Sequence, residues 1–529
     1  MSSRDEFRRR TFDALLARRE PDGTWCGHLS SSALSTATAC IALLTVDARR
    51  YCDETAAGID WLTTNQNSDG GWGDTTQSRS NLATTWMGYC ALTAWAGRGE
   101  LSSVQQASRD AAVAWLVERL GGEQISPKAL AGALGELYGK DRTFQVPLFV
   151  SGVISGALGD DAAILIPRLP FELAVFPHRV LRWLRLPVVS YALPALIAMG
   201  QWIQNARGGR FWRRWLVGPT RRTLRTIQPD SGGFLEAAPL TSFVTMAMAD
   251  MGAVGDPAVV RGVAFLRSSQ RDDGAWPIDE NLSTWVTSLS ASAVTEELPD
   301  DERAALVDSI LDRQQCVVHP FTQATGGGWS WTNLSGGVPD ADDTSAALLA
   351  LDALLGKRDG RGTQTASQRN RVFDASRKGA AWLMGVQNSD GGFPTFCKGW
   401  GLLPFDQSCC DITAHAISAL NEWHVRFADA AKFQGRFEAR MIKAIRRGVK
   451  FLRAQQESDG RWVPLWFGNE QADGQANGVY GTARVLIGLA RVRGFDVTDL
   501  VERGRGYLLA QQNSDGGFGG ELGCDSSIE

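Results

Sequence analysis

The stretch RGVKFLRAQQESDGRW (447–462) recurs along the chain, and its recurrence predicts the fold. A period of several tens of residues is typical of architectures in which one small structural unit is stacked many times. Each copy ends in a Gln, an Asp-Gly turn and an aromatic residue. Close copies are AAGIDWLTTNQNSDGGW (56–72), RGVAFLRSSQRDDGAW (261–276), KGAAWLMGVQNSDGGF (378–393) and RGRGYLLAQQNSDGGF (503–518).

The spacing of these copies leaves room for two helices in each unit. A basic residue followed by Gly is expected to open an amphipathic helix, and Asp-Gly-Gly forces a turn because Gly tolerates positive φ. A more apolar helix is expected after each turn, at 82–95, 282–294, 343–355, 411–423 and 480–492. The anchor glutamines of the later units are predicted to be Gln270, Gln323, Gln387, Gln456 and Gln512, with steps of 53, 64, 69 and 56 residues.

Amphipathic and apolar helices that alternate in this way predict two concentric rings with the apolar set inside. The expected fold is therefore all-α, an α/α toroid. Alternating β-branched residues are scarce, so we expect no substantial sheet.

Composition excludes several classes of protein. Lys and Arg total 54 against 58 Asp and Glu, and this balance argues against a nucleic-acid-binding protein. The N-terminal stretch is charged and shows no secretory signal. No run of about 18 apolar residues occurs, so we expect no membrane-spanning helix. The nine cysteines are scattered without a CxxC pair, so we expect reduced thiols in a cytoplasmic protein. The 19 Trp residues exceed what the length suggests.

The middle of the chain interrupts the repeat. Residues 164–200 are apolar and rich in Pro, and FWRRWLVGPTRRTLR (211–225) follows them. One interpretation is an insertion that packs one barrel on another. The other is a surface that dips into one leaflet of a membrane, with Trp212 and Trp215 at the interface and Arg213 and Arg214 facing phosphates.

A cluster of three carboxylates, Pro339-Asp340-Ala341-Asp342-Asp343-Thr344, lies at the start of a predicted inner helix. Carboxylates this close repel one another and force their pKa values apart, so at least one is expected to hold a proton in an apolar cavity. The helix N-terminus stabilises the anion left when that proton leaves. The alternative is a helix cap made by Asp340 or Asp343.

A second motif, Asp411-Ile-Thr-Ala-His415, begins the next inner helix. Its Asp and His are four residues apart and share one helix face. Neighbouring inner helices would place His415 beside Asp342, where a protonated imidazole strengthens the acid. The alternative is a core histidine that is hydrogen-bonded to Asp411.

Taken together, these motifs resemble the squalene–hopene cyclase family of class II terpene cyclases. The repeats look like its QW motifs, and PDADDT (339–344) looks like its DxDD acid motif; GGWSWTNLSGGVPDADDT (327–344), DITAH (411–415) and NGVYGTA (477–483) are further matches. The resemblance implies that Asp342 is the proton donor, with Asp340 and Asp343 as flanking carboxylates and His415 as its hydrogen-bonded partner. It also implies that cavity aromatics stabilise carbocations, namely Trp331, Trp285, Phe396 and Trp462.

The resemblance further implies two α-barrels. Residues 35–278 would form one barrel, with a membrane-contacting insertion at 164–218, and 1–34 plus 279–529 the catalytic barrel. The expected activity is cyclisation of squalene or a similar linear polyprene to a hopene-like polycyclic triterpene, without a metal or other cofactor. We further expect a cytoplasmic protein with peripheral contact to one leaflet, and a homodimer is an additional expectation.

Three other functions remain open at this stage. A cyclase acting on a prenyl diphosphate would need Mg²⁺ and a basic pocket. A zinc prenyltransferase subunit would have the same toroid, with Cys409, Cys410, Asp411 and His415 as candidate ligands. A non-catalytic toroid that binds lipids is the third alternative.

Overall fold

The computed structural model describes residues 3–139, 142–177, 180, 192–209, 211–320, 324–356, 365–396, 404–469, 472–520 and 523–527. Within these ranges the chain is helical, and its only β-pairing consists of isolated bridges such as Phe393 with Cys409. The prediction of an all-α fold is confirmed. The α-helices are α1 (Ser3–Leu16), α2 (Ala33–Asp47), α3 (Cys52–Thr64), α4 (Leu82–Ala96), α5 (Ser103–Leu120), α6 (Pro127–Tyr138), α7 (Arg142–Ile154), α8 (Leu193–Ala206), α9 (Arg214–Ile227), α10 (Ala238–Asp250), α11 (Pro257–Ser268), α12 (Ser283–Val294), α13 (Asp300–Asp312), α14 (Ala341–Leu354), α15 (Ala366–Val386), α16 (Cys410–Asp429), α17 (Arg436–Gln455), α18 (Gly478–Leu489) and α19 (Thr498–Gln511). Short 3-10 helices span Asp160–Leu165, Phe171–Val175, Phe211–Arg213, Phe234–Glu236, Pro404–Asp406 and Asp473–Gln475.

The chain divides into two compact units. The first unit comprises Met1–Gly27, Asn281–Asn333 and Gly337–Glu529, and the second comprises His28–Glu280 and Leu334–Gly336. Residues 28–34, 279–280 and 334–336, which were expected in the catalytic barrel, belong to the second unit.

Each unit has an inner layer of apolar helices. In the second unit, α2, α4, α7, α8 and α10 contact one another in turn, and α10 also contacts α2, which closes a ring. In the first unit, α12, α14, α16 and α18 pack side by side, and α13, α15, α17 and α19 pack outside them. The predicted alternation of inner and outer helices is confirmed.

Four hydrogen bonds define the repeat, and the copy at 447–462 shows them all. The Gln456 amide donates to the turn carbonyl of Gly460 at 2.9 Å and to the carbonyl of Leu500 in the next outer helix at 3.1 Å. The backbone N–H of Trp462 donates to the Thr482 hydroxyl of the following inner helix at 3.0 Å. Its indole N–H donates to the Leu452 carbonyl at 2.8 Å. Each repeat is thereby joined to its neighbour through polar groups that burial would otherwise leave unsatisfied.

The other copies repeat this pattern with small variations. Glutamines that join a turn carbonyl to an outer-helix carbonyl are Gln66, Gln228, Gln270, Gln314, Gln387 and Gln456. Aromatic residues whose N–H donates to a threonine are Trp25, Trp72, Phe234, Trp276, Trp329, Phe393 and Trp462.

Two details of the predicted repeat are wrong. The basic residue and Gly do not open a helix, because Arg503-Gly504 lies inside α19 and Gly504 lets the ring of Trp462 approach the helix. In the copy of the repeat for which Gln323 is the predicted anchor, the anchor is Gln314. Its amide donates to Gly327 O at 2.8 Å and to Ala375 O at 2.9 Å. The predicted anchor, Gln323, lies outside the described residues.

The turn glycine of the repeat is required for two reasons. Gly460 has a φ of +96°, which favours glycine, and a Cβ there would lie 2.4 Å from the carbonyl oxygen of Arg503. The turn therefore packs directly on the backbone of the neighbouring outer helix.

The insertion at 164–218 is described only in part, since 178–179, 181–191 and 210 lie outside the described residues. Trp215 is 77% exposed and Trp212 is 37% exposed. Arg213, predicted to face phosphates, is instead buried, paired with Glu172 and placed over the ring of Phe171. Among the described helices, none is long and apolar enough to cross a membrane.

Removal of one anchor amide tests the repeat. Gln387→Leu should lower the free energy of unfolding by about 2–4 kcal/mol, because two buried carbonyls lose their donor. The matched control is Gln512→Leu, since Gln512 is exposed and, among the described residues, donates only to Gly516 O, and its loss should cost less than about 1 kcal/mol. Denaturant unfolding measures both, and equal losses would contradict this account of the repeat.

Candidate active site

The acid motif lies at the N-terminus of α14, clamped between two loops. The backbone N–H of Asp340 donates to Trp329 O at 3.0 Å, and that of Ala341 donates to Thr395 O at 2.8 Å. Asp340 is the N-cap, and its Oδ1 accepts the N–H of Asp343 at 2.7 Å. The capping interpretation is therefore confirmed for Asp340, and it leaves Asp342 free for another role.

Asp340 and Asp343 form a buried carboxyl pair. Their exposed fractions are 3% and 2%, and their side chains are hydrogen-bonded to each other. Burial, together with the charge of Asp342, raises the pKa of Asp340 to about 7 against hydrogen bonds from Asp343 that lower it. Burial, then Asp340 and the charge of Asp342, raise the pKa of Asp343 well above its ordinary value. At least one proton therefore stays on this pair at neutral pH, so the pair adds less negative charge than two ionised carboxylates would.

Asp342 has a different environment from its two neighbours. Its Oδ1 lies 2.5 Å from Nδ1 of His415, and the two side chains are 16% and 13% exposed. Burial alone would raise the pKa of Asp342, but the charge of His415, its hydrogen bond and the charge of Arg484 outweigh burial and lower it. Asp342 is thus the strongest acid of the three carboxyls and the most accessible of them.

The inner helices α14 and α16 bring these two residues together, as the sequence analysis predicted. The alternative partner of His415, Asp411, is engaged elsewhere, because it accepts a hydrogen bond from the Cys409 thiol at 2.6 Å. Burial also raises the pKa of Asp411, while the Cys409 thiol lowers it and the Asp342 charge raises it.

The zinc-site alternative is not supported by this arrangement. No group of three or more His, Cys, Asp or Glu side chains in the described part of the chain could hold a metal ion. Burial, together with the charge of Asp411, holds the pKa of Cys409 well above the ordinary value for a thiol and raises that of Cys410 to about 12. Zinc binds thiolates, so these two cysteines are poor ligands.

Three of the predicted cavity aromatics are linked to the loops that clamp the acid helix. The backbone N–H of Trp285 donates to Trp331 O at 3.1 Å. The rings of Trp331 and Phe396 lie 5.8 Å apart between centroids. Because Trp331 follows Trp329 by two residues and Phe396 follows Thr395, the same loops that hold residues 340 and 341 also carry these rings.

The aromatic row continues through two residues that the sequence analysis did not identify. The ring centroids of Phe396 and Phe405 are 4.8 Å apart, and those of Phe405 and Trp466 are 4.4 Å apart and stacked. The indole N–H of Trp466 donates to the Thr395 hydroxyl at 2.6 Å. Neither ring lies on a helix with a recognisable period, so no pattern identified them.

Trp462 does not belong to this row. Its ring is fully buried, and both of its N–H groups make the repeat hydrogen bonds described above. The family resemblance implies a cation-stabilising role for Trp462, but the structure places its ring in the core of the repeat. It ends its copy of the repeat, and that position was the signal that could have indicated the structural role.

Two further residues of α18 act on the site and were missed. Arg484 lowers the pKa of Asp342 through its charge, and it is half-buried with no hydrogen bond or ion pair to another described residue. Burial raises the pKa of Tyr480, and the charges of Asp411 and Asp342 raise it further against the opposing charge of Arg484. Their four-residue spacing on an apolar helix was the signal that could have identified them.

The arrangement can deliver a proton to an apolar acceptor. Asp342 is activated by a hydrogen-bonded imidazole and a nearby guanidinium, and the N-terminus of α14 favours the resulting anion. Aromatic faces nearby attract positive charge without attacking it.

Known proteins resemble much of this chain. The family model of the squalene-hopene cyclase C-terminal domain matches residues 282–528, and that of the N-terminal domain matches residues 9–124. A squalene–hopene cyclase of Alicyclobacillus acidocaldarius is 26% identical over 334 residues, which are 55% of this chain and 47% of that protein. A sporulenol synthase of Bacillus subtilis is 28% identical over 44% of this chain and 35% of its own length.

Other relatives extend the comparison. An enfumafungin synthase of Hormonema carpetanum is 28% identical over 47% of this chain and 19% of its own length. The chain therefore spans less than half the length of these three relatives. Among solved structures, the ent-copalyl diphosphate synthase from Streptomyces platensis matches with a TM-score of 0.57 and 20% identity, covering 98% of this chain and 85% of that one. This match confirms the α/α toroid fold, and the two family models show that the chain belongs to the squalene–hopene cyclase family of class II terpene cyclases.

Proposed function

We propose that this protein cyclises squalene, or a similar linear polyprene, to a hopene-like polycyclic triterpene in a reaction initiated by Asp342. The hydrogen bond between Asp342 and His415 carries the proposal, because it activates the most accessible carboxyl of the acid motif. The names of the relatives favour this substrate class, since one of them is a squalene–hopene cyclase.

The first step is proton transfer to a terminal alkene from the protonated form of Asp342, which the lowered pKa makes scarce but strongly acidic. The carboxyl O–H bond breaks, the alkene π electrons form a C–H bond, and a tertiary carbocation and the Asp342 carboxylate remain. His415 and the N-terminus of α14 stabilise that carboxylate. Asp340 and Asp343 keep their shared proton, which limits the negative charge that would weaken the acid.

The carbocation is then attacked by the next alkene of the same chain, and each ring closure moves the charge along the substrate. The faces of Trp285, Trp331 and Phe396 stabilise these cations, each by roughly 0.5–2 kcal/mol. We assign Phe405 and Trp466 to the same role because they continue that row. Loss of a proton from the last cation to water, with return of a proton to Asp342, gives a net isomerisation, whereas capture of water followed by loss of a proton would give an alcohol.

The substrate is insoluble in water, so we further propose that it enters from a membrane. The surface that supports this step consists of exposed apolar residues of the second unit, which is unusual for a soluble face. They are Ile164, Leu165, Val175, Phe176, Phe211, Trp212 and Trp215.

Two variants of the acid test the mechanism. Asp342→Asn should abolish turnover of squalene without loss of fold, because an amide has no acidic proton to give.

His415→Gln should lower turnover by about ten-fold or more, because each pKa unit of lost acidity raises the free energy of proton transfer by roughly 1.4 kcal/mol and part of this reaches the barrier. The melting temperature of His415→Gln should change little.

Product analysis with squalene and with geranylgeranyl diphosphate, each with and without EDTA, identifies the substrate class. Products from squalene in the presence of EDTA are expected. Metal-dependent turnover of the diphosphate alone would support the prenyl diphosphate alternative. Wild-type turnover by Asp342→Asn would show that another group is the donor.

The carboxyl pair predicts a pH-dependent stability. The pKa of Asp340 is raised on folding, so its contribution is complete below its unfolded value and is lost as pH rises through about 7. Asp340→Asn keeps the oxygen that caps Asp343 and removes the titration. Between pH 5 and pH 8, the wild type should lose roughly 1–4 kcal/mol of stability relative to Asp340→Asn, a difference that melting curves across this range measure. Parallel curves for the two proteins would show that the pair is not protonated at low pH.

Membrane attachment has its own test. Replacement of Trp212 and Trp215 by Ser should move the protein from the membrane fraction to the soluble fraction, because both rings are exposed. The matched control is Phe7→Ser, an aromatic that is 71% exposed in the first unit, which should leave the distribution unchanged. A wild type that is fully soluble in mild salt would contradict the attachment.

A further inference from the structure

Glu236, in the second unit, is a buried carboxyl that the proposed mechanism does not use. It is 2% exposed and follows a less regular copy of the repeat, IQPDSGGF (227–234). The backbone of Glu236 has a φ of +54° and that of Leu235 a φ of +57°, so two successive non-glycine residues adopt the left-handed conformation. Such strain persists only where the surrounding structure imposes it, and it is concentrated at functional positions.

The Glu236 side chain holds another loop of the second unit. Its Oε1 accepts the hydroxyl of Ser231 at 2.8 Å and the backbone N–H of Gly336 at 2.7 Å. Its Oε2 is buried and has no hydrogen-bond partner among the described residues. Burial raises the pKa of Glu236 against these two hydrogen bonds, and no ion pair within the described ranges compensates a charge on it.

The loop that Glu236 holds is closely fitted to the carboxyl. A Cβ on Gly336 would lie 2.3 Å from Glu236 Oε1, so only glycine allows this approach. The adjacent Ser335 hydroxyl accepts the backbone N–H of Asp230 at 3.1 Å. Residues 334–336 are therefore fixed to the loop that carries Glu236.

This anchored loop leads directly into the acid motif. Gly336 precedes Asp342 by six residues, and most of the intervening backbone is also held. The carbonyl of Gly337 accepts the Gln315 amide at 2.9 Å, and the N–H groups of Asp340 and Ala341 donate to the two clamping loops. Only Val338 and Pro339 lie between, and the ring of Pro339 fixes its own φ.

We propose that Glu236 is a positioning residue for the acid, which anchors the segment 336–341 so that Asp342 meets His415. A small displacement of that segment would lengthen the hydrogen bond that activates Asp342 and would slow proton transfer. The part of the proposal that concerns turnover rests on the proposed function, whereas the anchoring part does not.

Two variants of Glu236 separate anchoring from packing. Glu236→Gln keeps the oxygen that accepts from Ser231 and Gly336, and Glu236→Met keeps the volume but has no strong acceptor. Hydrogen exchange of the full-length protein, followed by mass spectrometry, should show roughly ten-fold faster exchange across 336–341 in Glu236→Met, and exchange within about two-fold of wild type in Glu236→Gln. Unchanged exchange in Glu236→Met would overturn the anchor.

Turnover of squalene provides the second measurement. In Glu236→Met, kcat should fall by about ten-fold while KM stays within about two-fold, and Glu236→Gln should restore kcat. Faster exchange in Glu236→Met with unchanged kcat would overturn the positioning role. A wild type that turns over no squalene would contradict the proposed function, and the exchange result would still decide the anchor.

A control separates positioning from general loss of stability. Asp256 caps α11 and pairs with Arg225 in the same unit, away from the acid motif in sequence. Asp256→Asn should lower the melting temperature and leave both the exchange of 336–341 and kcat unchanged. If Asp256→Asn reproduced the effects of Glu236→Met at the same loss of stability, the proposal would be overturned.

Discussion

The structure depends on the anchor glutamine of the repeat, whose side-chain amide donates to two backbone carbonyls at once. A tight turn leaves a carbonyl without a partner, which is expensive in a buried position, whereas a helical carbonyl keeps a second lone pair that can accept another donor. In Gln387, one amide nitrogen donates to the turn carbonyl of Gly391 and to Ala444 O in the next outer helix. The turn carbonyl is therefore paired with the protein rather than with solvent, and the same amide joins the turn to the neighbouring outer helix.

The site follows from this regularity. Asp342 and His415 lie near the beginnings of α14 and α16, which the repeat holds side by side as inner helices. The three carboxyls of one short motif then differ because their surroundings differ: Asp340 and Asp343 are shielded within the helix cap, whereas Asp342 is partly accessible and contacts the imidazole of His415. One backbone geometry thus produces a proton-holding pair and a strengthened acid from identical side chains.

Much of the fold and of the candidate site could be predicted from the sequence, whereas several residues of the site could not. The period of the repeat, the inner helices and the meeting of Asp342 with His415 depend on local sequence patterns, which a single chain displays. Phe405, Trp466 and Glu236 were missed because long-range backbone hydrogen bonds and ring contacts place them, and such contacts leave no period in the sequence. Arg213 and Trp462 were misplaced because residue type alone cannot distinguish a buried partner from an exposed one.

The copy of the repeat that Gln314 anchors shows that the distance along the chain between an anchor glutamine and its turn can vary. Gln314 reaches Gly327 across thirteen residues, whereas Gln387 reaches Gly391 across four, yet both amides make the same two bonds. Longer loops add only slowly to the entropy of closure, by about 0.6 kcal/mol for each doubling of length. Insertions between an anchor and its turn are therefore nearly neutral for stability, so evolution can lengthen these loops and reshape a cavity without rebuilding the barrel.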